Sequence, residues 1–268
     1  MKRLTACMIA MALTPAAMAS VPAELMYLNK PVDPLCFFDM ESDSDQIVLK
    51  KCGIAKEKVQ IKGQNADLLK KGFIGFNWQS TDTSYASQGS SYYKWFDAGN
   101  KAWWVYTLNN GGGSGDFTAI NLVRRESPDS LSLKSVAGGD RCNGGVQDVS
   151  VSNNRLTYSV NLTAADFLPL ANDNPHKLEA YDDLSACAVC CTAKAFYEVD
   201  TNLKPKLTYV DISGHGSNPD ELSQQGRYQA CFNKLFVAYV NKGEVKLDSS
   251  KLKAFVKEFN QTCTPRKA

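Results

Sequence analysis

The chain has 268 residues, 44% hydrophobic and 10% aromatic, with 30 Lys and Arg against 28 Asp and Glu. That apolar content supplies a packed core and excludes disorder as the main state. Near-neutral charge provides no field to steer the chain onto phosphate backbones or anionic lipid, which argues against nucleic acid as a partner.

The first element is a leader. Lys2 and Arg3 precede an apolar run from Leu4 to Leu13, and Ala17-Met18-Ala19 puts small residues at both specificity positions of an A-x-A cleavage site. Together these predict a secretory signal peptide over residues 1–19. The run is too short to cross roughly 30 Å of hydrocarbon and no second candidate follows, so no membrane span is expected. Leu4-Thr5-Ala6-Cys7 resembles a lipobox, but a lipobox follows its hydrophobic segment, whereas only Met1, Lys2 and Arg3 precede this one. Without the leader the charges balance at 28 each. The short positive region suits a bacterial exporter and places the protein in the periplasm or outside the cell.

Cys36 and Cys52 come next and bracket a short acidic stretch, which a disulfide between them would staple. Asp39, Glu41, Asp43 and Asp45 alternate there, but Ser44 stands where an EF-hand needs glycine and Lys50 where it needs a carboxylate. The stretch reads as a solvated acidic loop.

All four tryptophans fall within residues 76–106. Exposed rings with amide and hydroxyl neighbours can stack on sugars or on a partner's side chains. Trp78, Tyr92, Tyr93, Trp95, Trp103 and Trp104 are therefore the candidate ligand-binding residues, with packing in a strand core as the competing role. Adjacent strand residues point to opposite faces, so one of Trp103 and Trp104 should face outward unless a second layer covers it.

Hairpins follow. Residues 101–117 give a strand and a glycine-rich connection, and 117–136 give a hairpin turning at Ser127-Pro128-Asp129. The "GGGSGD" at 111–116 lacks the Gly-Lys-Ser/Thr ending of a P-loop. "GGDRCNGG" at 138–145 reads as a strained loop or a disulfide-pinned turn around Cys142. In 149–162, Leu156, Tyr158, Val160 and Leu162 alternate with polar residues, and Asn153-Asn154 tolerates the positive φ of a tight turn. A further hairpin is predicted over 196–212. Turn signals at this rhythm indicate antiparallel sheets.

Between the hairpins lies "DDLSACAVCC" (182–191). Cys187, Cys190 and Cys191 are read as disulfide knots, because a zinc site needs a second ligand pair and only His176 and His215 exist. A short helical turn over Asp182 to Ala186 and then a strand through 199 are expected, with Cys190 and Cys191 reaching different partners. Cys36, Cys52, Cys142, Cys187, Cys190, Cys191, Cys231 and Cys263 make an even set, which in an oxidising compartment predicts four bridges.

The C-terminal quarter changes period. Asn218-Pro219-Asp220-Glu221 has the form of a helix start. Leu222, Tyr228, Cys231, Leu235 and Tyr239 then recur at helical spacing. A second helix over 248–263 carries Leu252, Phe255, Val256 and Phe259 on one stripe. Cys231 and Cys263 should lock the two together.

The expected fold is α+β: predominantly antiparallel β, a sandwich or partly closed barrel, disulfide-stabilised and carrying a C-terminal helical hairpin. The expected division is a signal peptide (1–19), a β-rich domain (20–214) and the helical hairpin (215–268) packed on it. No G-x-S-x-G elbow occurs to supply a serine nucleophile. The leading functional reading is a non-enzymatic binding protein for an envelope polysaccharide or protein, with no cofactor and no metal. Two alternatives stand beside it: an exported hydrolase using a carboxylate pair or His215, and a thiol–disulfide protein using Cys187 and Cys190.

Overall fold

Strand periodicity from Ile74 to Asp140 folds into one large antiparallel sheet, and a second sheet takes up the later hairpins. The computed structural model describes residues 20–38, 45–52, 59–81, 87–171, 181, 183–214 and 222–264. A small ribbon of β1 (Met26–Tyr27) and β2 (Lys30–Pro31) opens the chain. The first sheet contains β3 (Gln46–Val48), β4 (Val59–Gly63), β5 (Ile74–Ser80), β6 (Gln88–Gly99), β7 (Ala102–Asn110), β8 (Phe117–Ser127) and β9 (Ser130–Asp140). Its spatial order is β3-β9-β8-β7-β6-β5-β4, a meander from β4 to β9 with β3 added at the far edge. The second sheet runs β10-β11-β12-β13-β14, with β10 (Val146–Ser152), β11 (Arg155–Leu162), β12 (Ala193–Val199), β13 (Lys206–Asp211) and β14 (Lys246–Leu247). Every pairing is antiparallel and neither sheet closes into a barrel.

The hairpin read at 149–162 turns at Asn153-Asn154, whose φ values are +50° and +59°. Asparagine tolerates this left-handed region, which a two-residue hairpin loop matched to strand twist requires. The α-helices with both ends among the described residues are α1 (Ala66–Lys70), α2 (Ala164–Phe167), α3 (Gln229–Asn241) and α4 (Ser249–Thr262).

The core has three parts. One face of the large sheet packs against the second sheet through Trp104, Ile120, Leu122, Leu156, Tyr158 and Val199. Its other face is covered by the N-terminal segment, where Leu25, Val32, Cys36 and Phe37 meet Tyr93, Val105, Val123 and Leu133. The inner face of β12–β14 packs on α3 and α4, with Phe167 edge-to-face on Phe232, Phe236 and Phe255, and Phe232 edge-to-face on Phe255. Such ring pairs contribute beyond the area they bury. The stripe expected on the last helix is the buried one: Leu252, Phe255, Val256 and Phe259.

The helical hairpin is built into the sheet, because β14 lies between α3 and α4 and pairs with β13 through Leu247 and Val210. Two sequence expectations change here. The first helix begins at Gln229 instead of near Asn218, which lies outside the described residues. Gly226 at φ +113° breaks the run just upstream, wedged against the Asp183 carbonyl where no side chain fits. The strand expected from 186 begins only at Ala193, and residues 183–186 form no helix.

The eight cysteines from Cys36 to Cys263 are all paired. Cys36–Cys52 and Cys231–Cys263 are bridged as expected, and Cys142–Cys191 and Cys187–Cys190 complete the set. Cys190 and Cys191 do reach different partners, but the reason is a tight turn closed by the Cys190 N–H donating to the Cys187 carbonyl at 2.9 Å. Chain-entropy scaling gives about 4 kcal/mol for the 49-residue separation of Cys142–Cys191 and about 2 kcal/mol for the separation of 3 in Cys187–Cys190.

Candidate functional site

The five-stranded sheet is packed on one face; on the other, Ser159 and Asn161 are buried while Lys194, Phe196, Tyr209 and Asp211 are half-exposed. Val160, Leu162, Ala193, Ala195 and Val210 point inward, so the alternate residues Ser159, Asn161, Lys194, Phe196, Tyr209 and Asp211 share the outer face. Register brings them into rows: Asn161 opposite Lys194 and Lys194 opposite Asp211, then Ser159 opposite Phe196 and Phe196 opposite Tyr209.

Two bulges shape this face. Val146 and Val151 both pack inward although five positions apart, an odd separation that a regular strand would send to opposite faces. β10 takes up the extra residue between Gln147 and Ser150, where Asp148 adopts φ +51°. The bulge turns the Asp148 carboxylate outward, where it accepts hydrogen bonds from Ser159 Oγ at 2.7 Å and Lys194 Nζ at 3.4 Å. In β13 the extra residue is Thr208, whose hydroxyl donates to the Phe196 carbonyl at 2.7 Å. Leu207 can then pack inward while Tyr209 stands outward. The rings of Phe196 and Tyr209 stack with centroids 4.5 Å apart and planes at 14°. Lys246 Nζ lies 5.1 Å from the Tyr209 ring.

A cleft of about 500 Å³ opens beside the stack, lined by Gln147, Asn161, Cys191, Lys194, Phe196 and Asp211 among others. Asp211 Oδ1 accepts from the Ser213 backbone N–H and hydroxyl at 2.8 and 2.7 Å. The charges around the stack alternate, Asp148 and Asp211 against Lys194 and Lys246. A smaller hollow of about 260 Å³ lies further along the same strands, among Arg155, Glu198, Asp200, Lys204 and Lys206.

The loop at 138–145 supports one end of the cleft and is a disulfide-pinned turn. Asn161 Nδ2 donates to the Arg141 carbonyl at 3.0 Å, and Cys142 is bridged to Cys191. Asp140 accepts from Arg141 Nε at 2.9 Å and from the Asp116 N–H at 2.8 Å. The Arg141 guanidinium, first, and then the Asp116 amide hold its carboxyl below the usual carboxylate range.

The aromatic residues singled out from sequence sit elsewhere. Trp78, Tyr92, Tyr93 and Trp104 are buried, with Trp104 at 0% exposure. Trp95 and Trp103 are half-buried against the N-terminal segment. Trp78 Nε1 donates to Ser91 Oγ, Tyr93 donates to the Val32 carbonyl, and Tyr92 donates to Asn77 Oδ1. These six form no contiguous surface platform, which corrects the sequence expectation. The physical reason is the second layer: the large sheet is covered on both faces, so Trp103 and Trp104 point opposite ways and both find cover. Their indole N–H groups have no hydrogen-bond partner among the described residues. His176, His215, Asp39, Glu41 and Asp43 lie outside the described residues.

Sequence reasoning missed Phe196, Tyr209 and Asp148. The signal was present as broken alternation, Val146 to Val151 in β10 and Leu207 beside Tyr209 in β13. Comparison of the chain with protein-family models, curated proteins and solved structures finds no match.

Proposed function

We propose that the protein is exported and acts as a non-enzymatic binding protein of the cell envelope. Four disulfides support the oxidising compartment. No helix among the described residues is long and apolar enough to cross a membrane.

The ligand is a polysaccharide, held on the outer face of the five-stranded sheet. The observation that carries this reading is the stacked Phe196–Tyr209 pair set among amide, hydroxyl and charge-balanced groups at a cleft. Sugars offer apolar C–H faces to aromatic rings and hydroxyls to just such mixed donors and acceptors. Strain at Asp148 fits a face shaped for contact, since left-handed non-glycine residues are kept where the surroundings impose them.

Binding fits the arrangement better than hydrolysis. The backbones of Asp148 and Asp211 lie three strand spacings apart, about 14 Å at standard strand separation, and their carboxylates engage different partners, Asp148 with Ser159 and Lys194 and Asp211 with Ser213. A glycosidase instead aims two carboxyl groups about 5–9.5 Å apart at one bond.

The test is calorimetric titration with soluble peptidoglycan fragments and neutral oligosaccharides. Wild type should bind one of these, and Phe196→Ala or Lys194→Ala should weaken it by about tenfold, roughly 1.4 kcal/mol, with melting unchanged. Absence of binding to every glycan, or binding that survives both substitutions, refutes the reading. Capture of a protein by this face instead would identify the other partner class.

A further inference from the structure

Of the four bridges, Cys187–Cys190 is the one whose geometry fits chemistry better than scaffolding. Its partners are three positions apart, against 16, 32 and 49 for the others, so it constrains the unfolded chain least. Both of its residues are half-exposed, Ala186 beside them is exposed, and Val189 inside the ring is 75% exposed. Cys36–Cys52 and Cys142–Cys191 each have one buried partner, Cys36 at 4% and Cys142 at 5%, whereas Cys231 and Cys263 are also half-exposed but tie two packed helices together.

The ring lies outside every ladder. β12 starts at Ala193, and the turn is held by the Cys190 N–H on the Cys187 carbonyl and the Cys142 N–H on the Ala188 carbonyl. Opening it therefore unzips neither strand nor helix. An exposed apolar side chain at the tip gives a docking partner something to grip beside the sulfurs.

We propose that Cys187–Cys190 is a thiol–disulfide exchange site for an external dithiol, such as a dithiol-bearing protein with an apolar surface around its thiols. One thiolate of the dithiol attacks a sulfur of the Cys187–Cys190 bond and forms a mixed disulfide, and the other cysteine leaves as a thiolate and takes up a proton. The second thiolate of the dithiol then attacks the mixed disulfide and releases the remaining cysteine, which is protonated in turn. Two electrons and two protons pass to the protein; the bridge becomes two thiols and the dithiol becomes a disulfide. The reverse sequence reoxidises the turn. This activity does not depend on the polysaccharide reading, although Cys191 links the turn to the cleft wall.

The test titrates the native full-length protein with dithiothreitol, traps free thiols by alkylation and maps them by mass spectrometry, with near-ultraviolet circular dichroism followed in parallel. Cys187 and Cys190 should be labelled together at a dithiothreitol concentration about tenfold or more below that needed for any other bridge. The dichroism should be unchanged at that point, and oxidised dithiothreitol should restore the bond. Simultaneous opening of several bridges, earlier opening of another, or loss of dichroism as this one opens overturns the proposal. The double variant Cys187→Ser, Cys190→Ser should fold cooperatively with its melting lowered by no more than about 4–8 °C and yield no thiols at the low concentration; failure of that variant to fold shows a structural bridge and equally overturns it.

Discussion

At the scale of single residues, glycine placement shows how closely the large sheet is fitted. Gly89 lies opposite Trp78 across β5 and β6, and a Cβ there would overlap the Trp78 ring and the Asn110 carbonyl. The indole occupies the space a side chain would take, which lets it reach Ser91 Oγ at 3.3 Å. Gly89→Ala should therefore destabilise the fold by about 1–3 kcal/mol through overpacking, measured by urea denaturation. Gly113 has nothing within 4 Å of its notional Cβ, so Gly113→Ala should stay within about 0.5 kcal/mol of wild type. Equal effects at the two positions would contradict the packing described.

Elements differ in what starts and stops them. Helix α4 is capped by Asp248, whose side chain accepts from the Lys251 N–H at 2.9 Å. Asp248→Ala should cost about 0.5–2 kcal/mol, visible as a lower melting temperature with the helix retained in far-ultraviolet dichroism. Such local signals were legible in the sequence: the asparagine turn at 153–154, the stripe on α4 and the two bridges Cys36–Cys52 and Cys231–Cys263. What was not legible depended on distant partners. Trp103 and Trp104 look like a surface pair until the N-terminal segment and the second sheet are in place. The start of α3 was misplaced because Leu222 and Tyr228 are also buried or half-buried as irregular chain, so periodicity alone extended the helix too far. The outer face of the second sheet was hidden by its bulges, which put Tyr209 opposite Phe196 only once β12 and β13 pair.

For the whole molecule, buried phenols set the alkaline limit. Burial, with Asp148 adding to it, pushes Tyr106 up to about 12; burial, with Tyr197 adding, does the same for Tyr158; burial, with Glu258 adding, raises Tyr239 to about 12. Burial also pushes Tyr93 upward. In the unfolded chain these groups ionise near their ordinary value of 10.0. Between pH 10 and 12 the folded form thus holds more protons than the unfolded form, and stability falls as pH rises. The fold should keep its stability up to about pH 10 and lose it progressively towards about pH 12, with phenolate absorbance of these rings appearing together with unfolding. Phenolate absorbance of all the tyrosines at lower pH, with the fold intact, would contradict the burial assigned to them.

The position of β14 carries a consequence for assembly. The outermost strand of the second sheet arrives between the last two helices, and the cysteine that ties those helices, Cys263, comes after both. As the chain emerges from its N-terminus, Val210 and Asp211 of β13 keep a row of unpaired edge groups until Leu247 and Lys246 are available. Such a row invites pairing with another chain. Completion of this sheet is therefore a late event, and a polypeptide stopped short of Lys246 should be a self-associating one.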